Sequence, residues 1–179
     1  MANDKHATQL LLAFISLALA ALVDGASTTA QFRFYMHDTV TASAGSPATA
    51  VRVVRGAAPL PGDPVNRFGD LYVIDDPLTE GPSAASPVVG RAQGFYLFAS
   101  RSDPALLLCA DMVFTSGKHN GSAVAVLARD AILDDVRELP VIGGTGGFRG
   151  AAGYGLLRTH AFNASTNNAV LRIDMHLSV

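Results

Sequence analysis

From Gln31 onward the chain alternates with period two, without the three-to-four spacing of an amphipathic helix. In QFRFYMHD the residues Phe32, Phe34, Met36 and Asp38 share one face, while Arg33, Tyr35 and His37 share the other. A carboxylate therefore continues an apolar face. The last segment, NAVLRIDMHLSV, alternates most cleanly: Ala169, Leu171, Ile173, Met175 and Leu177 point one way, Arg172, Asp174 and His176 the other. Between these ends AVRVV, RFGDLYVIDD, VVGRAQGFYLFASR, ALLLCADMVFTSG, SAVAVLARD and GFRGAAGYGLLRTHAF read as further strands. In SAVAVLARD the face of Val124, Val126 and Ala128 also runs into a carboxylate, Asp130. The stretch through Pro59, Pro61, Gly62 and Pro64 reads as a connection, and Arg137 follows Asp130 across a turn-like link. Asp75 and Asp76 head the DDPLT turn, where Asx side chains bond backbone amides and proline presets the bend. Roughly eight strands with turns between them give an all-β domain, an antiparallel barrel or a sandwich.

The N-terminus differs from the rest. Lys5 and His6 precede an apolar run from Leu10 to Val23, followed by Asp24, Gly25 and Ala26. A basic start, a short apolar run and small residues after it define a secretory signal peptide, expected over residues 1–25 with cleavage after Gly25. The run is shorter than the ~20 residues of a membrane span. Residues 26–179 then form one domain in the extracellular space, where the sequons at Asn120 and Asn163 are candidate glycosylation sites.

Composition narrows the chemistry. The net charge of -2 with scattered basic residues leaves no electrostatic footprint for nucleic acid. Cys109 is the only cysteine, so no disulfide framework exists, and its place in ALLLCADMVF reads as a small buried hydrophobe. Five histidines without ligand spacing predict no metal and no redox cofactor. Any chemistry falls to carboxylates, arginines and tyrosines in a pocket.

VIGGTGGFRGAAGYG, residues 141–155, holds seven glycines and invites a phosphate-binding reading. Gly150 and Gly155 have P-loop spacing, but Leu156 follows where a lysine belongs. The dinucleotide fingerprint finds Arg149 in place of its third glycine, and neither motif is followed by the helix that would hold a phosphate. The glycines read instead as a turn over Gly143 to Gly147 and a thinned strand, with room for curvature or an aromatic ligand.

The ordered set FRFYMHDTV, FGDLYVIDDPLTEG, VGRAQGFYLF, HNGSAVAVLARD and VRELPVIGGTGGFRGAAGYGLLRT resembles the plant dirigent proteins from Phe32 to the C-terminus. The resemblance implies an eight-stranded antiparallel β-barrel with a central pocket, secreted to the apoplast and assembled as a homodimer or homotrimer. It implies stereochemical guidance of phenoxy-radical coupling of monolignols such as coniferyl alcohol toward lignans. A separate laccase or peroxidase makes the radicals, so no cofactor is expected, and no membrane or nucleic-acid partner. Carried over by residue, the pocket would include Asp38, Asp130 and Arg137 as catalytic groups, with Tyr96, Thr159 and Tyr35 against the substrate. Strict alternation places Tyr35 opposite Asp38, and the resemblance alone brings it in. Buried carboxylic acids held partly neutral would donate protons to a quinone methide while pocket walls orient it. Two other functions fit the same residues: an autonomous cyclase or dehydratase of a phenolic quinone-methide precursor, and a defence protein that only binds a phenolic or a sugar. The chain departs from the family pattern in its lone Cys109, in Gly150-Ala151-Ala152, and in the small, proline-rich stretch from Ser43 to Val65.

Overall fold

The computed structural model describes residues 28–179; the expected signal peptide and its cleavage point lie outside the described residues. The described chain forms β1 (Thr29–Asp38), β2 (Ala50–Val54), β3 (Ala58–Leu60), β4 (Asp63–Phe68), β5 (Leu71–Thr79), β6 (Val88–Phe98), β7 (Ala105–Phe114), β8 (Ala123–Ala131), β9 (Arg137–Thr145), β10 (Ala152–Asn163) and β11 (Asn168–Ser178). Short 3-10 turns stand at Gly117–His119 and Gly146–Phe148.

Eight of these strands close an antiparallel barrel in the order β1-β11-β10-β9-β8-β7-β6-β5. Closure leaves little free strand edge to aggregate. The closing seam is short, Tyr35 opposite Thr79 and Met36 opposite Leu78. Beyond it β2 replaces β1 as the partner of β5, with Ala50 opposite Ile74 and Val51 opposite Val73. The Asp75 amide still donates to the Thr49 carbonyl, at 2.9 Å. Pro77 lies two residues on along the same edge of β5, in the gap between the two partners. A residue without an N–H fits a place where no acceptor strand runs.

Several expectations change here. The strand through RFGDLYVIDD does not turn at Asp76-Pro77 but runs on to Thr79. The turn-like link between Asp130 and Arg137 stands at residues 132–136, but RELPVIGGT after it, not marked as a strand by its sequence, is β9, a full barrel strand. Conversely AVRVV, β2, lies outside the closed ring, and the proline-rich connection contains the β3–β4 hairpin. In β9 an arginine occupies an inward position and Pro140 an exposed one, which hid the alternation that Arg137 and Leu139 carry.

The interior is filled from alternate positions of each strand. Phe34, Leu78, Met112, Val126, Leu139, Leu157 and Ile173 are all essentially inaccessible. One end is closed by aromatic rings: Phe32 and Phe114 meet edge to face at 5.4 Å, and Phe32 and Phe148 stack at 5.6 Å. His119 covers Phe32 at 4.5 Å. Offset and edge-to-face contacts of this kind stabilise beyond the area they bury.

The glycine-rich stretch belongs to this closed end. Gly143 and Gly144 lie within β9, and Phe148 is the ring that the stretch delivers to the plug. Gly153 has φ +137, and a Cβ there would stand 2.1 Å from the His176 carbonyl oxygen, so β10 can meet β11 only through a glycine. On the inner face a Cβ at Gly155 would meet Met175 Sδ at 2.8 Å. Gly144, Gly153 and Gly155 thus serve close backbone approach and core packing.

Candidate active site

The opposite end of the barrel is hollow. A cavity of about 380 Å³ opens there, within the usual range of small-molecule pockets, roughly 300–1,000 Å³. Its apolar walls come from Met36, Tyr72, Phe98, Leu106, Leu108 and Leu171. Asp38 from β1, Tyr96 from β6, Asp130 from β8, Arg137 from β9 and Thr159 from β10 all reach it. Five residues named from the sequence, on five strands, thus meet in one space. Tyr35 does not join them: it points outward, where its ring meets His160 edge to face at 5.4 Å.

Three adjacent strands build the first polar group. Arg137 Nε donates to Asp130 Oδ1 at 2.8 Å, and another nitrogen of the same guanidinium, Nη1, donates to Thr159 Oγ1 at 2.8 Å. Asp130 and Arg137 are each 4% exposed. Desolvating an ion pair costs several kcal/mol per charge, so the hydrogen bonds across both neighbours are what make it tolerable. Burial raises the Asp130 carboxyl above the ordinary carboxylate range, although the Arg137 charge pulls it down. After Thr159 a bulge in β10 changes the phase of the strand. Phe162, rather than Ala161, therefore reaches the cavity mouth.

The second polar group has no cation. Asp38 is half-buried, but its Oδ1 is inaccessible and accepts no hydrogen bond. Burial pushes this carboxyl up to about 7; the Tyr96 hydroxyl beside it works against the rise and the Asp130 charge adds to it. Tyr96 is in turn held by the Tyr72 ring, stacked on it at 4.9 Å, and burial together with the Asp38 charge raises its hydroxyl far above the usual phenol value. A tyrosine fixed as a neutral phenol can donate a hydrogen bond but takes no part as a base.

Asp76 is a residue that sequence reasoning gave to a turn. It is 0% exposed on the inner face of β5, its Oδ1 accepts from Thr49 Oγ1 at 2.5 Å, and its Oδ2 has no partner. Burial, and next the Asp38 charge, push it up to about 8. The signal was present, since Tyr72, Ile74, Asp76 and Leu78 alternate without a break. The Asp-Pro pair outweighed it. Asp75 is the opposite case, exposed and paired with Arg91 Nε at 2.5 Å.

Cys109 also moves. It stands half-buried on the outer face of β7, between Phe95 and Leu127 on the neighbouring strands. Asn120 and Asn163 are both exposed, and Asn163 Oδ1 accepts from the Ser165 amide and hydroxyl at 3.0 and 2.7 Å. Among the described residues no group of three or more potential metal ligands comes together, and no helix is long and apolar enough to cross a membrane.

Comparison with known proteins agrees with this geometry. Residues 29–178 match the dirigent-like protein family. Dirigent protein 21 of Arabidopsis thaliana is 42% identical over 144 residues, 80% of this chain and 74% of that one. Pterocarpan synthase 1 of Glycyrrhiza echinata is 37% identical over 145 residues, 79% of this chain and 73% of that one. The solved structure of a pterocarpan synthase dirigent protein superposes with a TM-score of 0.76 at 33% identity, covering 85% of this chain and 88% of the other. Proteins of this family are in general extracellular plant proteins. A barrel hollow at one end, with this sequence written along its strands, belongs to the dirigent family.

Proposed function

We propose that the protein binds phenolic intermediates in its open cavity and fixes which faces react during phenoxy-radical coupling of monolignols, of the coniferyl alcohol type, toward lignans. One observation carries the reading: Asp38, Tyr96, Asp130, Arg137 and Thr159 converge on the walls of one aromatic-lined cavity, where burial raises both carboxyls. A separate laccase or peroxidase removes one electron and one proton from each phenol. Two radicals then join through one new carbon–carbon bond to give a bis-quinone methide. In each half a side-chain hydroxyl adds to the benzylic carbon and loses its proton, while the former carbonyl oxygen gains one and becomes a phenol. In one half neutral Asp38 supplies the incoming proton while the Asp130 carboxylate, paired with Arg137, takes the outgoing one, and in the other half the roles reverse, so that no net proton is consumed. Tyr96 and the Arg137–Thr159 pair hold oxygens, and the walls supply orientation, the larger contribution.

The protein acts in the apoplast, as its N-terminal sequence and family suggest, with glycans on Asn120 and Asn163. It assembles as a homodimer or homotrimer. An outward apolar row across five strands, Val51, Val73, Phe95, Cys109 and Leu127, supports assembly, with Val51 53% and Leu127 42% exposed. Light scattering checks this: Val73→Lys with Leu127→Lys is expected to give a monomer.

A second reading is favoured by the likeness to pterocarpan synthases: closure of a phenolic quinone-methide precursor with no oxidase, using the same carboxyls. Chiral chromatography separates the two. Coniferyl alcohol with laccase should give an enantiomeric excess only when the protein is present, and Asp38→Ala or Asp130→Ala should return the products toward a racemate. A racemate with the wild-type protein, alongside turnover of a quinone-methide precursor without laccase, decides for the second.

A further inference from the structure

Asp76 does not line the cavity, yet the register of the seam places it across from Asp38, which does. The seam ladder pairs Tyr35 with Thr79 and Met36 with Leu78. Two residues further along each strand on the same inner face, that register sets Asp38 opposite Asp76. There the strands have begun to part, because Thr49 and then β2 take over the edge of β5. Each carboxyl keeps one buried oxygen without a hydrogen-bond partner, Asp38 Oδ1 and Asp76 Oδ2. The other Asp76 oxygen is fixed by Thr49 Oγ1 at 2.5 Å.

Like charges directly opposite on adjacent strands are destabilising, and two buried carboxylates facing each other do not both ionise. Among the described residues neither carboxyl is ion-paired. From β6 come Tyr96, on the Asp38 side, and Arg91, whose guanidinium is engaged by Asp75 at the surface. From β8 comes Asp130, whose charge adds to the repulsion, and its partner Arg137 on β9 is committed to Asp130 and Thr159. Thr49, leading into β2, is uncharged. A proton held between the two carboxyls supplies what the site lacks, a donor for one orphaned oxygen and an acceptor in the other.

We propose that Asp76 is a positioning residue for Asp38, the two sharing one proton across the β1–β5 seam, so that Asp76 sets the protonation state in which Asp38 meets a bound phenolic. The role rests on the proposed function of Asp38 and extends it. When Asp38 gives the shared proton to the quinone-methide oxygen, two carboxylates face each other. Their repulsion makes the pair an effective acceptor for the proton that the attacking hydroxyl releases. The cycle closes with no net proton consumed.

The test is a carboxyl-carbon NMR titration of the mature protein carrying ¹³C-labelled aspartate, with Asp38→Asn and Asp76→Asn giving the assignments. The wild-type resonances of Asp38 and Asp76 should titrate as a pair, each responding in both steps. In Asp76→Asn the midpoint of Asp38 should fall by about one pH unit or more. The pH at which product enantiomeric excess is half lost on the alkaline side should fall with it. Thr49→Val keeps both carboxyls and removes a hydrogen bond to the ionised form, so it should move both readouts upward; it also serves if Asp76→Asn does not fold. Independent titration of the two carboxyls, or an Asp38 midpoint unmoved in both variants, overturns the pairing. An enantiomeric excess unaffected by Asp38→Asn, with paired titration intact, overturns the proposed role of Asp38 instead.

Discussion

At one end of the barrel Phe32, Phe114 and Phe148 meet ring to ring, and at the other Asp38, Asp130 and Arg137 face an open cavity. The same strands make both ends. β1 carries Phe32 and Phe34 into the plug and Asp38 into the cavity, and β9 enters the cavity with Arg137 and leaves toward Phe148. A strand of about ten residues with a strict alternation can therefore be stability at one terminus and chemistry at the other. The difference lies in what burial does to each. Buried rings gain free energy from leaving water, while buried carboxyls lose it and stay only where function or pairing compensates.

Removing a ring from the plug should have the largest effect on stability. Phe114→Ala is expected to cost about 3–5 kcal/mol. Seen by differential scanning calorimetry, that is a fall in Tm of roughly 6–20 °C, with product enantiomeric excess unchanged in the folded protein. A large loss of stereoselectivity at temperatures where the variant is folded would show that the two ends are not separable. At the cavity, Arg137→Met leaves Asp130 buried without its cation and should cost about 3 kcal/mol. The double variant Arg137→Met with Asp130→Leu should recover most of that stability and none of the stereoselectivity, a split that urea unfolding and chiral chromatography read together.

The pH dependence should also set the two ends apart. Asp38 and Asp76 have folded values above their unfolded ones, so their contribution is complete below about pH 4 and is lost as pH rises through about 7 and about 8; Asp130, also raised, acts in the same direction. Asp63, Asp75 and Asp174 are lowered and lose their contribution only as pH falls below the ordinary range. His37 and His119, lowered by burial, pull against stability below about 6.5. Stability should therefore decline from pH 6 to pH 8.5 by ~2 kcal/mol, or roughly 4–8 °C in Tm. Asp76→Asn should flatten that decline. The smallest effects belong to the outer face: Asp75→Ala should stay within ~0.5 kcal/mol of wild type, and Tyr35→Ala should leave the enantiomeric excess where it was.

Much of this arrangement could be read along the chain, and the failures have a common cause. Faces that continue an apolar alternation into a carboxylate, as at Asp38 and Asp130, were legible because period two survives any side chain at the last position. Asp76 breaks the same kind of face from inside a strand, and the proline after it carries a strong turn preference. That preference lost because the edge of β5 has no partner at Pro77. β9 was hidden by an inward arginine, whose burial depends on Asp130 and Thr159 from strands that only the fold brings alongside. The glycines at 143–155 were recognisable as structural, but which end of the barrel they serve is set by topology.

The aromatic plug has one more consequence. A vessel sealed at its base admits and releases everything through one mouth, so molecules inside are ordered by arrival. On the proposed function, two chemically identical radicals entering in turn would not hold equivalent places: the first would lie deeper, and the second above it near Phe162 and Leu133, which line the cavity. A single chain with no internal symmetry would thereby make unlike partners of like molecules before any bond formed. Their product, larger than either, would have to leave before the next pair entered.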